Sequence, residues 1–189
     1  MPETDYASDR TELAQSVLDS TVHIENDFGH GSGFFCFSSS TICTAKHVVA
    51  LEVTYEITTR DGRICEPLWI ASHPSLDISI LKVGVDCLVK PLSVTEEPAT
   101  GLAVAVAGHP LSSSWSVSFG YVSDEDELSF GQEAFTVDAT INPGNSGGPI
   151  VDMSGRLVGV ATAITTRDGL FSGQGFGISS ERLREMYDA

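Results

Sequence analysis

From about residue 21 onward the apolar positions fall in short runs, some alternating with polar residues and some unbroken: TVHIE, GSGFFCF, TICTA, VTYEITT, ISILKV, LAVAVAG, WSVSFGYVS, EAFTVDA, RLVGVATAI and GQGFGIS. Alternation of period two reads as a half-buried strand, and an unbroken apolar run of this length as a strand buried on both faces. Between the runs lie turn signals rather than helical repeats, at Asp61-Gly62, Ser154-Gly155 and Asp168-Gly169. Many short strands without intervening helices predict antiparallel barrels or a sandwich, not a parallel sheet covered by helices.

Helical spacing is confined to the ends. Asp9 followed by Glu12 has the form of a capping box ahead of Leu13 and Val17, and Ser180 is placed to cap a last helix whose Leu183, Met186 and Tyr187 share a face. Residues 92–100, with SVTEEPAT at their heart, mix proline, threonine and charge between two groups of strands and mark the internal boundary. The expected organisation is an N-terminal segment with a short helix over 1–20, a β unit over 21–93, a second over 94–180 and a closing helix over 181–189.

Composition narrows the function classes. The 189 residues are 41% hydrophobic and 19% charged, with no apolar stretch of membrane-spanning length, as in a soluble globular protein that needs no cofactor to fold. Ten Lys and Arg against 26 Asp and Glu give a net charge of -16, which repels phosphate backbones and argues against nucleic-acid binding. The N-terminus lacks the apolar core of a secretory signal, so the expected location is the cytoplasm, or an exported site if a leader has been removed. Cys36, Cys43, Cys65 and Cys87 form no C-x-x-C pair and suggest no metal site. A tight turn at Ser39-Ser40 would bring Cys36 and Cys43 across a hairpin, but in a chain without an export signal buried free thiols are the expectation.

The chemistry concentrates in INPGNSGGPI, where three glycines and two prolines surround Ser146. Backbone N–H groups hold an oxyanion only where the chain bends to make them converge, and glycine permits that bend. Gly144 and Ser146 are placed to supply such donors, with Asn145 between them. Gly144-x-Ser146-x-Gly148 also fits the nucleophile elbow of α/β hydrolases, but no histidine follows Ser146, and the order serine, acid, histidine is therefore excluded. A base must come from upstream, among His23, His30, His47, His73 and His109. His47 emerges at the end of a strand in TICTAKHVVA, and Asp77 opens an apolar strand in SHPSLDISILKV, where a buried carboxylate wants a cationic or N–H partner. An imidazole supplies one.

TAKHVV, DISILKV and DATINPGNSGGPIVD resemble the three signature segments of chymotrypsin-fold serine proteases, specifically the HtrA/Deg branch. TVHIE followed by GSGFF, VAVAGHP leading to SFGYVS, and GQGFGIS extend the similarity over about residues 17 to 180. The resemblance implies an all-β fold of two six-stranded antiparallel barrels with short terminal helices. It places His47 and Asp77 on the first barrel and Ser146 on the second, in the order His, Asp, Ser. Ser146 would attack a peptide carbonyl while His47 takes its proton and Asp77 holds the imidazole, with Gly144, Asn145 and Ser146 facing the oxyanion. No cofactor or metal is implied.

The same resemblance assigns specificity. Thr140 stands six residues before the serine, where trypsin-like enzymes selecting Lys and Arg carry aspartate, so cleavage after basic residues is not expected. Ile141 and Phe176-Gly177-Ile178 would shape a pocket for small or medium apolar side chains, slightly deepened where Gly177 replaces the alanine of relatives. Ala161, Thr162 and Ala163 form a candidate edge for an extended substrate. Asn145 replaces the aspartate that in digestive proteases pairs with a freshly cut N-terminus. The chain ends soon after the second β unit, without the PDZ domain of many relatives, which leaves regulation to loops such as Ser123 to Gly131, to a partner, or to oligomerisation through the N-terminal segment, a homotrimer by resemblance. The functional expectation is a serine endopeptidase acting on protein or peptide substrates. A protease-fold peptide-binding or sensor module with a latent site, and a dedicated processing protease, are the alternatives.

Overall fold

The computed structural model describes residues 6–50, 53–84, 87, 89–94, 97–110, 115–129, 132–162 and 175–189. In its first lobe β1 (Thr21–Asn26), β2 (Gly29–Phe35), β3 (Thr41–Thr44), β4 (Glu56–Thr59), β5 (Ile64–Cys65), β6 (Pro67–Ser72) and β7 (Ser79–Val83) form one sheet in the order β5-β4-β1-β2-β3-β7-β6. The second lobe joins β8 (Ala103–Gly108), β9 (Ser116–Ser129), β10 (Gln132–Val137), β11 (Pro149–Asp152), β12 (Leu157–Thr162) and β13 (Gly175–Ser179) into a closed barrel in the order β10-β13-β12-β11-β8-β9. Neighbouring strands in both lobes run antiparallel. The expected double barrel is present, its first member a nearly closed sheet of seven strands, one more than expected, with β5 and β6 at its edges.

Alternation along the strands explains why some runs are apolar throughout. Val22, Ile24, Phe35, Ile42 and Leu81 fill the first lobe, and Val104, Val106, Phe135, Ile150 and Val158 fill the second. The intervening residues Phe34, Cys43, Ile80, Ala105, Ala107 and Val160 belong to a third cluster between the lobes. Strands buried on both faces need apolar residues at every position.

Both helices feed that shared cluster. α1 (Tyr6–Asp19) contributes Leu13, Val17 and Leu18, and α2 (Ser180–Asp188) contributes Leu183 with Met186 packed beside it. Each fully buried aliphatic side chain contributes about 1.5–3 kcal/mol. The expected caps are corrected at both ends. α1 already includes Tyr6, so Asp9 sits in the first turn, where its carboxylate suits the positive end of the helix dipole. At α2 the N-cap is Ser179, and Ser180, the first helical residue, is buried. Tyr187 stacks on Phe37, ring centroids 4.4 Å apart.

Two further expectations change. Residues 123–129 of the expected loop from Ser123 to Gly131 are strand instead: β9 continues to Ser129 and pairs with β10, Leu128 opposite Glu133 and Ser129 opposite Gln132, while Phe130 and Gly131 lie outside the described residues. Asp124, Glu125 and Asp126 are exposed on this strand arm. The cysteines are buried as expected but not free: Cys36 is bonded to Cys43 and Cys65 to Cys87. Register accounts for the first pair, since Cys43 lies opposite Phe34 and Cys36 comes two residues further along the same face. The β4–β5 turn, with Gly62 at φ 84°, carries Cys65 to the segment after β7. Asp168-Gly169 lies outside the described residues. Among the described residues no helix is long and apolar enough to cross a membrane.

Candidate active site

His47 lies on a single 3-10 turn, Lys46–Val48, that follows β3. Lys46 holds this turn to the loop ahead of β7 by donating from Nζ to the carbonyls of His73, at 2.8 Å, and Pro74, at 3.4 Å. That loop is itself closed by His73, whose Nδ1 accepts the N–H groups of Ser75 (3.2 Å) and Leu76 (2.9 Å) and whose N–H donates to the Ile78 carbonyl (3.0 Å). Asp77 is thereby presented to His47 twice. Its Oδ1 accepts the His47 N–H at 2.9 Å, and its Oδ2 lies 2.7 Å from His47 Nδ1. The imidazole stays 43% exposed and the carboxylate 21%, so the ring is open to an incoming molecule while the acid behind it is largely covered.

Ser146 is held by a different set of strands. The Asn145 N–H donates to Asn142 across a tight turn (2.9 Å), with Gly144 at φ 99°, and the Gly148 N–H closes a second turn on the Asn145 carbonyl (2.9 Å). β12 then clamps the serine turn: the Gly147 N–H donates to Ala161 at 2.7 Å, and the Ala161 N–H donates to Gly148 at 2.9 Å. Gly147 has φ 85°, and a Cβ there would collide with Ser32 O and Thr44 Oγ1. Only glycine meets both demands.

Ser32, on β2, ties the serine turn to the first lobe. Its N–H donates to the Ser146 carbonyl at 2.8 Å and its hydroxyl to the Gly144 carbonyl at 2.7 Å. The same hydroxyl accepts the His109 N–H at 2.9 Å, and the Ser32 carbonyl accepts from Thr44 Oγ1 at 2.6 Å. A Cβ on Gly31 would lie 2.6 Å from a Val48 methyl and 3.0 Å from the Ser146 carbonyl oxygen, which sets the serine beside the turn that carries His47. The backbone of Ser146 thus meets the first lobe next to the turn that carries His47 on Asp77. The supporting roles of Ser32, Thr44, Lys46 and His73 are not among the expectations from sequence, where their only signals are a serine between glycines in HGSGFF and the neighbours of His47 and Asp77.

The oxyanion and specificity positions divide. Among the described residues no hydrogen bond takes the N–H of Gly144 or Ser146, whereas that of Asn145 is engaged in its turn, which removes Asn145 from the expected donor set. The Asn145 side chain is buried with Oδ1 against Gly108. Thr140 is exposed, its carbonyl accepting from Ser118 Oγ at 2.7 Å, and Ile141 is buried against Gly175. Gly177 and Ala161, opposite each other on β13 and β12, face the barrel interior. A Cβ on Gly177 would be 2.5 Å from Phe135 Cζ and 2.7 Å from Ile150 Cδ1, so this glycine makes room for core side chains and does not deepen a pocket. Ala161 supports the serine turn through both its backbone groups. Thr162 pairs with Phe176 and Val160 with Ile178, and Phe176 and Ile178 pack on the cluster between the lobes. Ala163 lies outside the described residues.

Comparison with known proteins agrees with this fold. A family model for the trypsin-like peptidase domain matches residues 31–160, a span that holds Ser32, His47, Asp77 and Ser146. A "Probable periplasmic serine endoprotease DegP-like" of Hahella chejuensis is 35% identical over 156 residues, covering 78% of this chain and 32% of that protein. A protein of the same description from Halomonas elongata is 30% identical over 171 residues, covering 88% and 36%. The chain spans about a third of the length of these curated relatives. Among solved structures, "HtrA-type protease AlgW with decapeptide" has the same fold at a TM-score of 0.81 and 23% identity, covering 94% of this chain and 66% of that one. The chain belongs to the trypsin-like peptidase family, with relatives among the HtrA/DegP-like proteases.

Proposed function

We propose that the protein is a serine endopeptidase that hydrolyses peptide bonds of protein substrates through an acyl-enzyme on Ser146. The observation that carries the reading is the double hold of Asp77 on His47, at 2.9 Å to its N–H and 2.7 Å to Nδ1, beside the serine turn. With Nδ1–H donating to the carboxylate, Nε2 is the nitrogen left to accept the Ser146 proton, and Asp77 stabilises the imidazolium that forms. The Ser146 oxygen bonds to the substrate carbonyl carbon, the carbonyl oxygen takes the negative charge, and the N–H groups of Gly144 and Ser146 receive it. Return of the proton from His47 to the leaving amine breaks the peptide bond, and water repeats the sequence to release the acid.

Thr140, Ile141 and Phe176 favour a first pocket for small or medium apolar side chains such as Val, Ala or Leu. The two disulfides and the periplasmic relatives support work in an oxidising compartment outside the cytosol. A library of peptides varied at the residue before the scissile bond tests the assignment: cleavage after Val, Ala or Leu, falling about a million-fold for Ser146→Ala, is the expected result. Equal cleavage by that variant refutes it.

A further inference from the structure

His47 faces Asp77 and His73 closes the turn before it; the other three histidines meet one another. Val22 and Ile24 turn into the first lobe, so the alternation of β1 sends His23 and Glu25 to the opposite face. The β1–β2 register sets His23 opposite Ser32 and Glu25 opposite His30, which puts His30 on that same face, diagonal to His23. His109 comes from the second lobe, directly after β8. One ring nitrogen from each of the three histidines lies within 4.8 Å of the others, and His23 Nε2 is 3.4 Å from His30 Nδ1. The rings of His23 and His109 lie 4.2 Å apart between centroids, and Trp115 closes on His109 edge-on at 5.0 Å.

Metal–imidazole bonds of about 2.0–2.1 Å at a tetrahedral angle place ligand nitrogens roughly 3.3–3.4 Å apart. The His23–His30 pair already has that spacing, and the third nitrogen reaches it with ring movements of about 1–1.5 Å. His109 Nδ1 is buried without a hydrogen-bond partner among the described residues, an orphan of the kind that a ligand resolves. Burial, reinforced by the neighbouring His109, lowers the His23 pKa below the ordinary histidine value, and burial does the same at His109. Neutral imidazole is the form that binds metal. Glu25 stands at the edge of the cluster, its carboxylate 3.8 Å from His23 Nε2, and the excess of acidic residues attracts cations to the surface.

We propose that His23, His30 and His109 form a binding site for a divalent transition-metal cation of zinc type, bridging the two lobes, with the fourth position open to water or to Glu25. All-nitrogen ligation selects borderline cations such as zinc over calcium and magnesium, which take oxygen. The site is distinct from the triad but leans on it. His109 donates its N–H to Ser32, Ser32 donates to Gly144, and a Cβ on Gly144 would lie 2.6 Å from the His109 carbonyl oxygen. Metal held by two ligands from the first lobe and one from the second therefore steadies the backbone on which the oxyanion turn rests. That coupling rests on the function proposed above; the binding does not.

The test titrates metal-stripped Ser146→Ala protein with zinc by calorimetry, which separates binding from peptidase activity. The expected result is a single zinc per chain bound at about micromolar affinity or tighter, with a rise in thermal midpoint, and a loss of roughly 10–100-fold or more in each of His23→Gln, His30→Gln and His109→Gln. Cobalt(II) added to the unmutated cluster should give the intense visible bands of a tetrahedral nitrogen site, a readout that needs no variant to fold. Absence of binding, affinity in all three variants equal to that of the unmutated cluster, or loss confined to His47→Ala would each overturn the proposal and leave the histidines as a packed imidazole cluster.

Discussion

At Ser32 each polar group has a partner: the N–H donates to Ser146, the hydroxyl donates to Gly144 and accepts from His109, and the carbonyl accepts from Thr44. Ser32→Ala leaves the His109 N–H without its acceptor and the serine turn without one of its two ties to the first lobe. A loss of about 1–3 kcal/mol in urea denaturation is expected, with kcat reduced more than KM is raised; an unchanged kcat would show that the tie does not position the nucleophile. Asp77→Asn should lower turnover by about ten thousand-fold, measured on the same peptides, because the amide favours the wrong imidazole tautomer. Types, order and flanking small residues make His47, Asp77 and Ser146 the candidates in the chain, and of that reading the structure shows the two hydrogen bonds between Asp77 and His47. Ser32 is not legible in the chain, since its partner Gly144 lies 112 residues away and one serine in a strand carries no mark of a contact at that distance.

At the scale of elements, the runs with clear alternation or unbroken apolar character are strands near their expected limits, from β1 to β13. β6 has no such signature because it opens on Pro67 and leaves Leu68 and Trp69 exposed, and an edge strand with little to bury needs no visible pattern. The β9–β10 arm is equally silent because its outer half is acidic and polar, which local composition cannot separate from a loop. Disulfide pairing is hidden for a related reason: register and the fold of the β4–β5 turn, not spacing, bring the sulfurs together. Cys65–Cys87 closes a stretch 22 residues long at the edge of the first lobe. Its removal as Cys65→Ser with Cys87→Ser should cost about 2–4 kcal/mol, read from denaturant midpoints. A midpoint matching that of the parent protein would mean that the link adds nothing to stability.

For the molecule as a whole, the division of labour between lobes follows from burial. Phe34, Ile80, Ala105, Val160 and Leu183 lie in one cluster that both lobes and both helices share, so neither lobe completes its burial alone. Thermal unfolding should therefore be a single cooperative transition, and Leu183→Ala should shift all of it downward by an amount equivalent to about 2–5 kcal/mol. Two separate transitions would contradict a shared core. At the same junction the backbone of Ser146, from one lobe, meets the turn of the other that carries His47 on Asp77, and the claim on which the proposed function rests is that this imidazole makes that serine nucleophilic. Reaction with a fluorophosphonate, followed by peptide mass spectrometry, tests it most directly. The account predicts an adduct on Ser146 in the parent protein that is lost in His47→Ala; an adduct on another residue, or labelling of Ser146 undiminished without His47, would contradict it.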